Sequence, residues 1–161
     1  MAAVIHLKSM KTLSDSGSRH EILARLANLR PDTPRLWGKM NASQMICHLS
    51  DAFLGVMGDK PIAPVTGLNL WPLMTWFVLY APMKWPPGVA TRPEMDQLIG
   101  GTPPSEFDAD MRTLLVAFDR FTAEPRSFEF RPHPMFKQMS EKNWMRWGYL
   151  HSDHHLRQFG Q

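Results

Sequence analysis

Two histidines near the end of the chain, His151 and His155, have a spacing that suits metal binding. They fall in a predicted helix that runs from Ser140 to Gln158. At about 100° per residue, positions i and i+4 lie about 40° apart, so both imidazoles project from one helix face. One helix can offer two imidazoles to one metal ion in this way. A third ligand must come from elsewhere, and His48 is the best candidate.

His48 lies within another predicted helix, which begins near Asn41 and ends near Gly58. The helix face on which His48 lies is mostly apolar, so its ring should be buried and must be hydrogen-bonded or ligated. A lone histidine in such a position is more often a hydrogen-bonded core residue than a ligand. Cys47 points about 100° away from His48, so both are not expected to reach one metal. We expect Cys47 to be a small buried hydrophobe rather than a nucleophile.

Several other residues are candidates for places beside the site. His154 lies about 60° from His151 and could replace His155 in an i, i+3 pair, but we rank it below His155, as a pocket residue. Gln158 could orient an imidazole by a hydrogen bond, or could simply pack. Asp51 could do the same, although we expect it on the solvated surface. Further candidates as pocket residues or partners of the ligands are Gln44 and Trp144. No general base is evident outside the histidines.

The composition predicts one globular domain in a reducing compartment. The chain has 161 residues, of which 43% are hydrophobic and 20% are charged. The formal charge is +3 with the basic residues scattered, so nucleic-acid binding is not expected. A single cysteine permits no disulfide within the chain, and the N-terminus has too short an apolar run for a signal peptide, so we expect a cytoplasmic protein. Residues 1–17 are predicted as a lead-in, and residues 18–161 as one domain.

Four helices of bundle length must position the histidines. The first is predicted to begin at Ser18, which has capping-box spacing to Glu21. The second begins at Asn41, the third at Thr102 and the fourth at Ser140. Strand patterns are weak, and residues 127–131 are the only candidate. We therefore predict an all-α fold, a four-helix bundle with a long crossover between helices two and three.

A strongly apolar segment lies within that crossover. No charged residue occurs between Lys60 and Lys84, and residues 68–80 are almost entirely hydrophobic. Prolines interrupt the segment, and its uninterrupted part is shorter than the roughly 20 residues that span a bilayer. An extra short helix is predicted there, as a buried element, a pocket wall or a dimer contact.

The motifs around the histidines resemble those of the DinB (damage-inducible, YfiT-like) superfamily of metal-binding four-helix proteins, and most closely an uncharacterised subgroup. The likeness is carried by Trp37-Gly-Lys-Met-Asn-Ala-Ser-Gln-Met-Ile-Cys-His48-Leu-Ser-Asp51 and Trp147-Gly-Tyr-Leu-His151-Ser-Asp-His-His155-Leu-Arg-Gln158. The linkers Ala81-Pro-Met-Lys-Trp-Pro-Pro-Gly88 and Gly100-Gly-Thr-Pro-Pro104 also fit. The superfamily often has His-Arg-Gly-Gln where this chain has His155-Leu-Arg-Gln158.

The resemblance implies a divalent metal ion held by His48, His151 and His155. Zinc or nickel is expected first, and iron or manganese is an alternative. It also implies a homodimer and a small-molecule substrate, because superfamily members include thiol-dependent S-transferases and a mycothiol-dependent maleylpyruvate isomerase. A metal there would acidify a bound water or a low-molecular-weight thiol.

Three functions remain open at this point. The first is a metal-dependent transferase, or a related isomerase or hydrolase. The second is a non-catalytic metal- or ligand-binding stress protein, with a closed site. The third is an interaction protein whose histidines only pack, with residues 68–85 as its dimer surface.

Overall fold

The computed structural model of the protein describes residues 10–63, 71–89 and 91–161. These residues form five α-helices and one short 3₁₀ helix, and no strand occurs among them. The all-α prediction is therefore confirmed. The helices are α1 (Ser16–Ala27), α2 (Ala42–Met57), α3 (Trp71–Tyr80), α4 (Phe107–Thr122) and α5 (Glu141–Gln158), with the 3₁₀ helix at Pro93–Met95. The predicted lead-in as far as residue 9 and residues 64–70 of the apolar segment lie outside the described residues.

The two helices that carry the histidines begin where their capping residues predict. Asn41 caps α2 through a complete capping box with Gln44, and Gly58 ends the helix in a left-handed conformation with φ of 87°. Ser140 caps α5, and its side chain accepts from the backbone N–H of Asn143 at 3.3 Å. These caps fix the register of both helices and so the direction in which each histidine points.

Two other predicted helix starts are wrong. The first helix begins at Ser16 and not at Ser18, because the Asp15 carboxylate accepts from the Ser18 N–H at 2.7 Å and takes the capping position. The third predicted helix, α4, begins at Phe107, five residues after Thr102, and Glu106 occupies its N-cap position without a side-chain hydrogen bond. The backbone N–H and the hydroxyl of Thr102 instead donate to the Asp51 carboxylate on α2.

Residues 127–131, the one candidate for a strand, do not form one. The nearest extended pairing is an isolated antiparallel bridge between His133 and Lys137. Inside this turn, Nδ1 of His133 accepts from the backbone N–H groups of Met135 and Phe136, both at 3.1 Å. Burial, followed by the charge of Arg92, lowers the pKa of His133 to about 4. The ring is therefore neutral at physiological pH, as these two hydrogen bonds require.

The core lies between two helix pairs. α2 packs mainly against α4, and α1 packs against α5, while α5 also contacts α2 and α3. Aromatic rings fill the centre, including Phe53, Phe121 and Trp144, all at most 1% exposed. Gly148 lets α5 approach closely, because a Cβ there would lie 2.8 Å from a methyl carbon of Leu13.

The long connection between α2 and α4 contains α3, so the predicted extra apolar helix is present. α3 buries Leu79 but leaves Leu73, Trp76 and Phe77 exposed by 78%, 58% and 53%. The guanidinium of Arg146 on α5 donates to the Leu79 carbonyl at 2.9 Å and holds the helix in place. None of the described helices combines the length and the apolarity needed to cross a membrane.

Candidate metal centre

The three predicted ligands meet in space. Nε2 of His151 lies 3.2 Å from Nε2 of His48 and 3.2 Å from Nε2 of His155. His48 and His155 are only 5% and 7% exposed. This buried group of three could hold a metal ion, and within the described residues no fourth His, Cys, Asp or Glu joins it.

The ring of His48 is oriented by the backbone of the 3₁₀ helix. Its Nδ1 lies 3.0 Å from the carbonyl oxygen of Met95. Because a carbonyl can only accept, Nδ1 must carry the proton, and Nε2 then presents a lone pair to the cluster. Metal-binding histidines are commonly held by such a partner on the nitrogen that does not bind.

The ring of His155 is oriented through a chain of two hydrogen bonds. The side-chain Nε2 of Gln158 donates to the carbonyl of Trp37 at 2.8 Å. That contact fixes the amide orientation, so Oε1 of Gln158 accepts from Nδ1 of His155 at 3.2 Å. Nε2 of His155 therefore also presents a lone pair to the cluster.

Gly38 makes room for this chain of contacts. Its φ is 82°, in the left-handed region that favours glycine. A Cβ at this position would collide with Nε2 of Gln158. The loop after α1 can therefore bring the Trp37 carbonyl to Gln158 only if residue 38 has no side chain.

His151 completes the group and has a different environment. Its ring packs against Trp147 at 4.8 Å between centroids, and Trp85 lies 6.3 Å away. Its Nδ1 is buried and has no hydrogen-bond partner in the part of the chain that the structure describes. His151 therefore lies between the other two ligands without a protein partner that fixes its tautomer.

All three rings are neutral at physiological pH. Burial lowers the pKa of His48, although the Met95 carbonyl opposes the shift. Burial also lowers the pKa of His151 and His155 well below the usual range, and repulsion between the neighbouring rings adds to it. Metal ligation requires the neutral imidazole, so the site is prepared for a cation without first losing protons.

Two of the three nitrogen separations match those around one tetrahedral ion. Two nitrogens that are each 2.0–2.1 Å from such an ion are about 3.3–3.4 Å apart. The Nε2 atom of His151 lies 3.2 Å from that of His48 and 3.2 Å from that of His155, and all three ligand atoms lie within 4.8 Å of one another. Hydrogen bonds alone satisfy this group poorly, because a single proton on Nε2 of His151 cannot point at two lone pairs at once. A divalent cation satisfies all three.

His154 lies beside the group and outside it. Its ring is 5.1 Å from that of His155 and 4.8 Å, edge-on, from Trp37, while Trp85 lies 6.1 Å away. Its Nδ1 is buried and has no hydrogen-bond partner within the described ranges. His155, and not His154, supplies the third nitrogen of the group.

The structure gives Gln44, Trp144 and Cys47 roles outside the three-histidine group. Gln44 caps α2. Trp144 is fully buried and stacks on Phe130 at 5.6 Å between centroids. Cys47 is 3% exposed, and burial, with the charge of Asp110, raises its thiol pKa to about 12, so it is no nucleophile at neutral pH.

The prediction that Asp51 lies on the solvated surface is wrong. Its exposure is 0%, and its partners are the loop residues Lys60, Gln97 and Thr102. Sequence reasoning also missed Met95 and Trp37, which act through backbone carbonyls. No residue-type pattern could have identified them.

Fold and site together define a helical protein with a buried three-histidine group that could hold a metal ion. The model of a family described as "Protein of unknown function (DUF1569)" matches residues 10–161, and the chain belongs to that family. No curated protein and no solved structure matches the chain.

Proposed function

We propose that the protein binds one divalent metal ion through the Nε2 atoms of His48, His151 and His155. The observation that carries the proposal is the convergence of these atoms, two of which present lone pairs fixed by Met95 and Gln158. An all-imidazole donor set suits zinc and nickel, with iron or manganese as alternatives.

We also propose that the fold is a four-helix bundle of the DinB-like type. α1, α2, α4 and α5 are its four long helices, and α3 is an addition within the crossover. One ligand comes from the second helix of the chain and two, at i and i+4, come from the last. This distribution is the one that the sequence resemblance implies.

The proposed reaction class is transfer of a small thiol to an electrophile. Three protein ligands leave a coordination position open, and a divalent ion there would lower the pKa of a thiol or water that binds to it. The indole rings of Trp37 and Trp85 provide apolar walls beside His151 and His154. Such walls exclude water and suit an apolar or aromatic substrate.

In that reaction the thiol sulfur would form a bond to an electrophilic carbon while the bond from that carbon to a leaving group, or the π bond of an activated alkene, breaks. The displaced electron pair would depart with the leaving group or be protonated, and the thiol proton would pass to solvent or to a nearby base. His154 is one such base, because its buried Nδ1 has no hydrogen-bond partner in the described residues. His48 and His155 keep their Nδ1 protons, which they donate to Met95 and Gln158 in hydrogen bonds.

A second candidate function is metal binding without turnover. The observation that favours it is the burial of His48 and His155, each more than nine-tenths enclosed. A small stress protein that sequesters an ion would need this enclosure and no substrate cleft.

The metal content of protein purified without an affinity tag tests the proposal. We expect about one divalent ion per chain in the wild type, and loss of it in His48→Ala. The matched control is His20→Ala, because His20 is an exposed histidine on α1 and its removal should leave the metal content unchanged. A wild-type protein that stays metal-free after incubation with zinc, nickel, iron and manganese would refute it.

A thiol-conjugation assay then separates the two candidate functions. Metal-loaded protein is incubated with an electrophile and with bacillithiol, mycothiol or glutathione. Turnover that disappears in His48→Ala supports the transferase, whereas stoichiometric metal without turnover for any thiol supports the binding protein.

A further inference from the structure

Asp51 is a fully buried carboxylate on α2, one turn after His48. Its Oδ2 accepts from the Thr102 N–H at 2.8 Å and from Nε2 of Gln97 at 3.3 Å. Its Oδ1 accepts from the Thr102 hydroxyl at 2.6 Å and pairs with Nζ of Lys60 at 3.0 Å. Four donors therefore surround one carboxylate. All four come from the connection between α2 and α4, and three of them come from residues 97–102.

The loop that Asp51 holds is internally bonded. The Gly100 N–H donates to the Pro93 carbonyl at 3.0 Å, and the Gly101 N–H donates to the Asp96 carbonyl at 2.7 Å. A Cβ on Gly101 would lie 2.7 Å from the carbonyl carbon of Asp96, so the two sides of this loop are in close contact. Residues 93–102 thus form one closed unit rather than a flexible link.

The same unit carries the acceptor that orients His48. Met95, within it, accepts from Nδ1 of His48 at 3.0 Å. α2 therefore contacts the loop at two points one turn apart: Asp51 binds its distal end, and His48 binds its 3₁₀ helix. A displacement of the loop would break the second contact together with the first.

We propose that Asp51 is a positioning residue for the metal centre, which acts by holding residues 93–102 so that the Met95 carbonyl fixes the tautomer of His48. A buried carboxylate is unfavourable unless its partners are all in place. Asp51 is therefore compatible with essentially one arrangement of the loop. Apolar packing would tolerate small shifts. The inference rests on the proposed metal site.

The test measures the dissociation constant for Zn²⁺ by chelator competition at 25 °C, and the His48 tautomer by ¹⁵N NMR of the metal-free protein. We expect Asp51→Asn to weaken Zn²⁺ binding about tenfold, at the low end of the effect of residues that support a metal ligand. In the metal-free wild type His48 should be protonated at Nδ1, and in the variant it should become a mixture of tautomers.

Two further variants separate positioning from a general loss of stability. Thr102→Val changes an exposed residue and removes the one hydroxyl that donates to Asp51, so it should fold normally and should weaken binding in the same direction by a smaller factor. Leu114→Ala opens a cavity in α4 away from the loop, and should lower stability without changing the affinity or the tautomer. Unchanged affinity and tautomer in Asp51→Asn and Thr102→Val would overturn the inference.

Failure of the proposed function is distinguishable from failure of this inference. If the wild type binds no metal, the metal site is refuted, and the tautomer of His48 decides the role of Asp51. A shift of that tautomer in the variants then supports positioning by Asp51. An unchanged tautomer refutes it.

Discussion

Replacing Gln158 by leucine should weaken metal binding while the protein stays folded. Gln158 is 2% exposed, and its amide joins the Trp37 carbonyl to Nδ1 of His155. Leucine has a similar volume but neither donor nor acceptor. Because support of a ligand is typically worth 10–100-fold in metal affinity, we expect a loss of about 1.4–2.7 kcal/mol in binding free energy.

The cost to stability can be estimated separately. Two hydrogen bonds at about 1 kcal/mol each are lost, and the buried Nδ1–H of His155 remains unpaired, so the metal-free protein should lose about 2–3 kcal/mol of unfolding free energy. A domain with the usual 5–15 kcal/mol stays folded after that loss. Urea denaturation of the metal-free variant measures the loss of stability. Chelator competition with the folded protein measures the loss of metal affinity.

A matched control makes the result decisive. Gln44→Leu removes the side-chain half of the capping box while Asn41 still caps α2, so it should cost at most about 1 kcal/mol in stability without changing metal affinity. Gln158→Glu keeps an acceptor for His155 but loses the donor to Trp37, so it should bind metal more tightly than Gln158→Leu does. If Gln158→Leu binds as tightly as the wild type, or if Gln44→Leu is equally impaired, the hydrogen-bond chain does not support the site.

Three further predictions test neighbouring parts of the account. His155→Ala should abolish stoichiometric metal binding while His154→Ala retains it, as measured by metal content after gel filtration; the reverse result would exchange their roles. Stability should fall with acid, because the folded pKa of His133 is about 4 and its unfolded pKa is about 6.5, so its contribution is present above pH 6.5 and is lost as pH falls toward 4. Between pH 7 and pH 5 this loss is about 2 kcal/mol, and urea titrations of His133→Asn, whose amide oxygen replaces the Nδ1 acceptor, should lack that part of the slope. Gly38→Ala should destabilise the protein by more than 1 kcal/mol and weaken metal binding, and a fully wild-type affinity would show that the Trp37 loop is not needed to orient Gln158.

The sequence predicts the helices well where local chemistry decides them. Asn41 with Gln44, and Ser140, satisfy the first free N–H groups of α2 and α5, and both helices begin where predicted. The positions of His48, His151 and His155 follow from that register. Ser18 misleads because Asp15, three residues earlier, accepts from the Ser18 N–H and caps the helix, so that Ser18 lies inside its first turn.

Tertiary contacts explain what the sequence does not predict. Thr102 has the features of a helix start, yet its N–H and hydroxyl both bond to Asp51, which is 51 positions earlier in the chain. Asp51 in turn is expected at the surface, because a carboxylate is normally buried only when partners compensate it. Those partners, Lys60 among them, come together only after the connection between α2 and α4 has folded back.

The candidate site is predictable as a set of residues but not as a geometry. Helical spacing places His151 and His155 together, whereas the approach of His48 depends on how α2 packs against α5. The carbonyls of Met95 and Trp37 orient the rings through backbone atoms, which every residue type has. Their role is therefore visible only in the folded protein.

Anomalous diffraction from crystals of the zinc-loaded protein, recorded on both sides of the zinc absorption edge, tests the central claim most directly. The account predicts a single strong peak about 2.0–2.1 Å from Nε2 of each of His48, His151 and His155. A peak bound by other residues, or three rings that keep only hydrogen bonds to one another in the presence of excess zinc, would contradict it.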